Sequence, residues 1–113
     1  MTNDVFQQVV ERRKRLIDEV LTAKADEYAR GDRLSNFKQA AGLTAEKPIE
    51  ALAGLMVKHE VAFHNFVNDW GRQNLIQNYA RWDEKIGDII NYLILADAII
   101  REYMADNEMA LPK

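Results

Sequence analysis

The feature that most constrains this chain is the segment 81–103, RWDEKIGDIINYLILADAIIREY. On a helix of about 3.6 residues per turn, one broad apolar face is formed by Ile86, Ile89, Ile90, Leu93, Ile94 and Ile100. A narrow polar stripe opposite that face consists of Glu84, Asp88 and Asn91. Apolar residues border this stripe as well, so the pattern between residues 89 and 100 is typical of a helix buried on more than one side.

The N-terminal part of the chain predicts a long helix over residues 4–30. Val9, Leu16 and Val20 fall on one stripe, and residues 2–4 offer N-cap side chains. Gly31 is expected to end this helix.

Two further helices are expected in the middle of the chain. A short helix or ordered turn over 32–41 has Asp32 as its expected N-cap and Gly42 as its expected end. A long helix is expected to start within 44–48, with Pro48 in its first turn, and to run to Trp70. Its apolar stripe comprises Leu52, Met56, His59, Phe63, Phe66 and Trp70. A narrow polar stripe on the same helix comprises Lys58, Asn65 and Asp69.

These patterns predict an all-α fold, because no segment alternates with the two-residue period of a strand. Three long helices and one short helix joined by short loops form a bundle in which polar stripes of different helices can meet. We expect a single domain over residues 1–113, with a core of about 4–104 and a polar, frayed tail over 105–113. A domain of 113 residues is only marginally stable alone, so an oligomer is favoured.

Composition excludes several classes of function. The chain has no cysteine, so it has neither disulfides nor thiolate metal sites. It carries a formal charge of −3 with both signs interspersed, which argues against a broad nucleic-acid face. The locally basic segment 11–15 is read as a solvated helix face. Residues 1–4 are not a basic start followed by an apolar run, and no stretch reaches 18 uninterrupted apolar residues, so we expect a soluble, cytoplasmic protein.

The strongest candidate for chemistry is acidic. Glu84 and Asp88 stand at i and i+4 on one helix, about 5–6 Å apart at Cβ, and Glu27 lies on the inward stripe of another helix. Magnesium favours such oxygen ligands, and it activates water and offsets the charge of a phosphoryl group. The competing interpretation is that Glu84 is a first-turn acid and that Asp88 pairs with Lys85 or another cation.

Other polar residues also have two interpretations. His59 is either a hydrogen-bonded core histidine or a base or ligand. Lys24, Arg33 and Lys58 are candidates for holding phosphates, with ion pairing to neighbouring acids as the alternative.

Three further residues are read mainly as structural. Phe37 and Trp82 can stack on a base, although aromatic residues at helical spacing are usually core or interface. Asp97 has Arg101 four residues on, and an intrahelical or intersubunit salt bridge explains it better than catalysis.

Three segments together resemble a known family. They are KADEY (24–28) with DRLSNF (32–37), GLMVKH (54–59) and WDEKIGDIINY (82–92). Their order and spacing are similar to those of small phage and prophage proteins of the MazG-like, all-α nucleotide pyrophosphohydrolase type, including the nucleotide-modification-associated relatives. The resemblance covers most of residues 20–100.

This resemblance implies a homo-oligomeric helical bundle, a dimer or tetramer, with a magnesium or manganese site between helices. It also implies hydrolysis of a nucleoside triphosphate to a monophosphate and pyrophosphate. By position, the metal-binding and catalytic residues are Glu27, Glu84 and Asp88. The expected nucleotide-binding residues are Lys24, Arg33, Asn36, Lys58, His59 and Asn91.

The sequence also departs from the family pattern. The helix that usually carries Glu-Glu-x-x-Glu has one glutamate in the corresponding region, Glu60, and Lys85 stands where a carboxylate usually precedes the aspartate of the last motif. Two hypotheses therefore remain after the sequence is read. The first is a magnesium-dependent nucleotide pyrophosphohydrolase, and the second is a non-catalytic helical protein that oligomerises, docks a partner or binds nucleotides.

Overall fold

The structure is a computed structural model that describes residues 1–22 and 31–111. Within these ranges the chain forms four α-helices and no strand. The helices are α1 (Asn3–Leu21), α2 (Ser35–Thr44), α3 (Pro48–Gln73) and α4 (Tyr79–Asp106). The expected all-α class with three long helices and one short helix is confirmed. No helix in these ranges has an apolar stretch that could cross a bilayer.

The chain divides into two compact units, Met1–Arg33 and Leu34–Lys113. The first contains α1, whose N-cap is Thr2: the Thr2 Oγ1 accepts a hydrogen bond from the Val5 N–H at 3.2 Å. No residue of α1 is buried. Residues 23–30, over which this helix was expected to continue, lie outside the described residues.

The second unit begins with α2, whose ends differ from the prediction. Ser35 is the first helical residue, and the N-cap position is taken by Leu34, which has no capping side chain. The expected N-cap at Asp32 is therefore wrong. Leu34 is instead 5% exposed within the core, so burial of an apolar side chain sets this end of the helix. Gly42 does not end the helix, which closes at Ala45 in the left-handed region with φ 56°.

α3 starts where the sequence indicates and ends later than expected. Pro48 lies in its first turn, and the Glu50 carboxylate accepts a hydrogen bond from the Lys47 N–H at 3.0 Å. The helix passes through Gly71 and stops at Asn74, which has a left-handed φ of 55°. The N–H of Leu75 donates to the carbonyl of Asp69, which satisfies one carbonyl at the end of the helix.

α4 is somewhat longer than the segment that predicted it. Its N-cap is Asn78, whose Oδ1 accepts from the Arg81 N–H at 3.1 Å. Its C-terminal end reaches two residues into the segment expected to fray, where Asn107 Nδ2 donates to the Tyr103 carbonyl at 2.8 Å.

The core of the second unit is small and joins α2, α3 and α4. Its buried members are Leu34, Phe37, Leu52 and Ile99. Partly buried residues packed against them are Ile49, Tyr92, Leu95 and Ala96. Phe37 is therefore a core residue, as the structural interpretation expected.

Within the second unit, one side of α4 packs in the core. On its other side Leu93, Ile94 and Ile100 are 54%, 40% and 47% exposed. The expectation of a helix buried on more than one side is not met by the described residues of one chain alone.

Candidate functional site

The contact between α3 and α4 contains one close pair of ionisable side chains. Nδ1 of His59 lies 3.2 Å from Oδ2 of Asp88, and the two side chains are 12% and 34% exposed. The Nδ1–H is not directed at the oxygen well enough to count as a hydrogen bond, and Nδ1 has no other partner among the described residues. The distance therefore describes a charge–dipole or ion-pair contact that is incompletely aligned.

Helical periodicity explains why these two side chains meet. His59 lies on the apolar stripe of α3 that faces the core, so its ring points toward α4. Tyr92 stands four residues after Asp88 on α4, and its ring centroid is 5.3 Å from that of His59. Because Tyr92 also packs against the core, the imidazole is held on one side by a well-positioned aromatic ring.

Lys85 lies on the other side of Asp88. Its Nζ is 4.0 Å from Oδ2 of Asp88 and 3.9 Å from Oε1 of Glu84. Lys85 is 24% exposed, whereas the Glu84 side chain is 67% exposed. Asp88 and Lys85 thus form the pair that the competing interpretation expected, at the longest distance that counts as a salt bridge.

Two further polar atoms on α4 are buried without a hydrogen-bond partner among the described residues: Asn91 Oδ1 and Trp82 Nε1. A buried polar atom that stays unpaired costs about 1–3 kcal/mol. Asn91 follows Asp88 by three residues, so its amide lies near the same side of α4 as the carboxylate. Such atoms are candidates for contact with water or a ligand.

Trp82 belongs to an aromatic cluster at the start of α4. Its ring makes edge contacts with Phe63, Phe66 and Trp70 at centroid distances of 5.7, 5.4 and 6.1 Å. The guanidinium of Arg81 lies 5.5 Å from the centroid of Phe66. The packing role expected for Trp82 is confirmed, and the cluster fixes the end of the α3–α4 hairpin nearest Asp88.

The remaining predicted site residues lie in several places. Glu27 and Lys24 fall outside the described residues. Arg33 belongs to the first unit, where its Nη2 donates to the Leu21 carbonyl at 3.0 Å. Asn36 and Lys58 are exposed on α2 and α3.

Of the residues expected in the site, the structure thus brings His59 and Asp88 together, with Asn91 on the same helix as Asp88. No group of three or more histidine, aspartate or glutamate side chains suited to a metal ion occurs in residues 1–22 and 31–111. The metal set of Glu27, Glu84 and Asp88 stays a prediction, because one member lies outside those ranges.

The sequence did not indicate the contact between Tyr92 and His59. The available signal was the i, i+4 spacing of Asp88 and Tyr92, which places both on the side of α4 that meets α3.

No family model, curated protein or solved structure was found to match this chain. The described residues define a class: an all-α protein with a histidine–aspartate pair in the contact between α3 and α4. The family resemblance therefore remains a hypothesis.

Proposed function

We propose that this chain is a magnesium-dependent nucleotide pyrophosphohydrolase of the MazG-like type, which converts a nucleoside triphosphate to a monophosphate and pyrophosphate. The observation that supports the proposal is the position of Asp88. Its carboxylate lies in the contact between α3 and α4, with His59 Nδ1 at 3.2 Å and Lys85 Nζ at 4.0 Å. Ionisable side chains that converge in a partly buried contact are candidates for a functional site.

The donor atoms available near Asp88 are those that magnesium prefers. Magnesium usually takes one or two protein carboxylates directly and completes its shell with water and substrate phosphates. Asp88 and Glu84 supply two carboxylates one turn apart, and Asn91 supplies an unpartnered amide oxygen. In the proposal Glu27 adds a third carboxylate. When bound, the ion activates the attacking water and offsets the charge that develops on the phosphoryl group.

The side chains of this chain have separate tasks in the proposed reaction. Lys85 lies near both Glu84 and Asp88, and in the proposal its ammonium would contact substrate phosphates while the two acids would hold the ion. Lys58 is exposed one residue before His59 and provides a further cation for phosphate. In the proposal Lys24, Arg33 and Asn36 contact phosphates or sugar.

The proposal is tested by assaying pyrophosphate release from a panel of ribo-, deoxyribo- and modified triphosphates with magnesium or manganese. Asp88→Asn keeps the size of the side chain and removes its charge, so we expect a loss of activity larger than the roughly 10- to 100-fold typical of residues that only support a metal ligand. Asp97→Asn is the matched control, because Asp97 is an exposed acid on the same helix paired with Arg101. The proposal is wrong if the wild type releases no pyrophosphate and its melting temperature does not rise with metal.

A second candidate function, self-association or partner binding without catalysis, is favoured by a different observation. Apolar side chains of α4 remain exposed in one chain, including Leu93 and Ile94 at 54% and 40%. Beside them a shallow groove between α3 and α4 is lined by Glu60, Phe63, His64, Ile86, Ile89 and Ile90. A continuous apolar surface of this kind is typical of an interface, and we propose that a second copy of this chain covers it.

Sedimentation equilibrium distinguishes this interface from a monomeric surface. We expect the wild type to be a dimer or tetramer and Leu93→Glu to dissociate it, because a buried unpaired charge is costly at an apolar interface. Leu43→Glu is the matched control, since Leu43 is 89% exposed on α2 and does not line this groove. A monomeric wild type at micromolar concentration would contradict the proposed interface.

A further inference from the structure

We propose that His59 is a positioning residue for Asp88, which it holds through Nδ1 so that the other carboxylate oxygen faces the metal ion and substrate. The role given to Asp88 rests on the proposed function. The contact itself does not, because it is a property of the folded α3–α4 hairpin. Nothing in the sequence distinguishes this role from that of an ordinary core histidine.

His59 is held in place by packing. Its side chain is 12% exposed, and its ring meets the Tyr92 ring at an interplanar angle of 38°. Tyr92 in turn packs against the buried core. A side chain whose rotamer is locked by packing can fix the position of a partner, whereas an exposed side chain cannot.

His59 Nδ1 at 3.2 Å and Lys85 Nζ at 4.0 Å both approach Oδ2 of Asp88. In the proposal, Oδ1 would be the oxygen available to a metal ion. Supporting groups that hold the second atom of a metal ligand orient it and raise its basicity.

A carboxylate oxygen only accepts hydrogen bonds, so a favourable contact of Oδ2 with Nδ1 at 3.2 Å requires the imidazole proton on Nδ1. The N–H is not aligned for a hydrogen bond in the structure. The proposal therefore requires a rotation of the Asp88 side chain that completes this hydrogen bond, since hydrogen bonds of functional groups often tighten only when the substrate complex forms.

Imidazole ¹⁵N NMR tests the contact directly. The spectrum is recorded at about pH 8.5, where an ordinary imidazole is neutral. We expect His59 to carry its proton on Nδ1, and Asp88→Ala to move that proton to Nε2. His64, the other histidine of the chain, is exposed and serves as the internal control that does not respond. A wild-type His59 protonated only on Nε2, or one unchanged by Asp88→Ala, would overturn the proposal.

Three variants of His59 separate positioning from packing. His59→Asn keeps an N–H donor at the place of Nδ1, His59→Gln moves the donor toward the place of Nε2, and His59→Leu removes it. For the Gln and Leu variants we expect kcat to fall about tenfold or more. We also expect the metal affinity, measured from the metal-dependent rise in melting temperature, to fall about tenfold or more. The Asn variant is expected to retain both within about threefold.

The outcomes for the two proposals can be told apart. If the Asn variant loses as much as the Leu variant, while all three variants fold, the donor at Nδ1 is not what matters and the positioning role is wrong. If the wild type shows neither turnover nor a response to metal, the pyrophosphohydrolase proposal fails. In that case the NMR measurement alone decides whether His59 holds Asp88.

Discussion

Replacing Leu52 by alanine should lower the free energy of unfolding of the second unit by about 3–5 kcal/mol. Leu52 is 1% exposed. It packs with Leu34 at the start of α2, Phe37 within α2 and Ile99 of α4. The substitution deletes three carbon atoms, which corresponds to about 2.4 kcal/mol of lost transfer free energy at about 0.8 kcal/mol each. The cavity left between three helices raises the expected cost to about 3–5 kcal/mol.

This cost is large for a unit of this size. Each kcal/mol shifts the melting temperature of a 60- to 100-residue domain by about 4–8 °C, so a loss of 3 kcal/mol lowers it by about 12–24 °C. Both tryptophans of the chain, Trp70 and Trp82, lie in the second unit. Tryptophan fluorescence during urea unfolding therefore reports on α3 and α4 specifically, and we expect a lower midpoint with an unchanged slope.

Leu55→Ala is the matched control for this measurement. Leu55 lies on the same helix three residues later and is 43% exposed, so the same deletion should cost about 1 kcal/mol or less. Equal losses for the two variants would refute the assignment of Leu52 to the core, and with it the way in which α2, α3 and α4 are packed.

Three further predictions concern single positions. Ala45→Gly should stabilise the second unit by up to about 1–2 kcal/mol in thermal unfolding, because Ala45 has a φ of 56° and a Cβ is disfavoured in the left-handed region. A loss of stability would contradict the reported backbone at this residue. Asp97→Ala should change the free energy of unfolding by less than about 0.5 kcal/mol, since its hydrogen bond with Arg101 joins two side chains at least half exposed. A cost above 1 kcal/mol would show that this pair is not exposed in the assembled protein. Hydrogen bonds from Lys14, and to a smaller extent from Gln7, hold the pKa of Glu11 below its ordinary value. The stabilisation of α1 by the Glu11 carboxylate is therefore complete above the ordinary pKa of a carboxyl group, and it is lost as the pH falls through the lowered pKa of Glu11. Circular dichroism of a peptide spanning residues 1–22 should show this loss of helicity on acidification, and Glu11→Gln should lessen it.

The α3–α4 hairpin could be predicted well from the sequence. Leu52 and Phe66 of the predicted stripe are buried, although Trp70 at its end is 53% exposed, and Pro48 does begin the helix. The prediction succeeded because apolar side chains at helical spacing form one stripe, and that stripe is buried whichever element packs against it.

The short helix could not be predicted with the same accuracy. Asp32 and Gly42 are the residues that usually start and end a helix, but α2 runs from Ser35 to Thr44. Burial of Leu34 and Phe37 is worth more than a capping hydrogen bond. Burial is a tertiary property, so local signals gave the wrong ends.

The candidate site shows the same division between sequence and tertiary structure. The sequence alone determined that the chain is all-α, that α4 is apolar on nearly every side, and that Glu84, Asp88 and Asn91 share a stripe, because these properties follow from spacing along one helix. It named His59 and Asp88 separately but could not pair them. Their 3.2 Å contact depends on how α3 crosses α4, and that crossing is set by the packing of side chains distant in the chain. Tertiary structure alone therefore decided that the carboxylate lies beside an imidazole and which side of α4 packs in the core of the second unit.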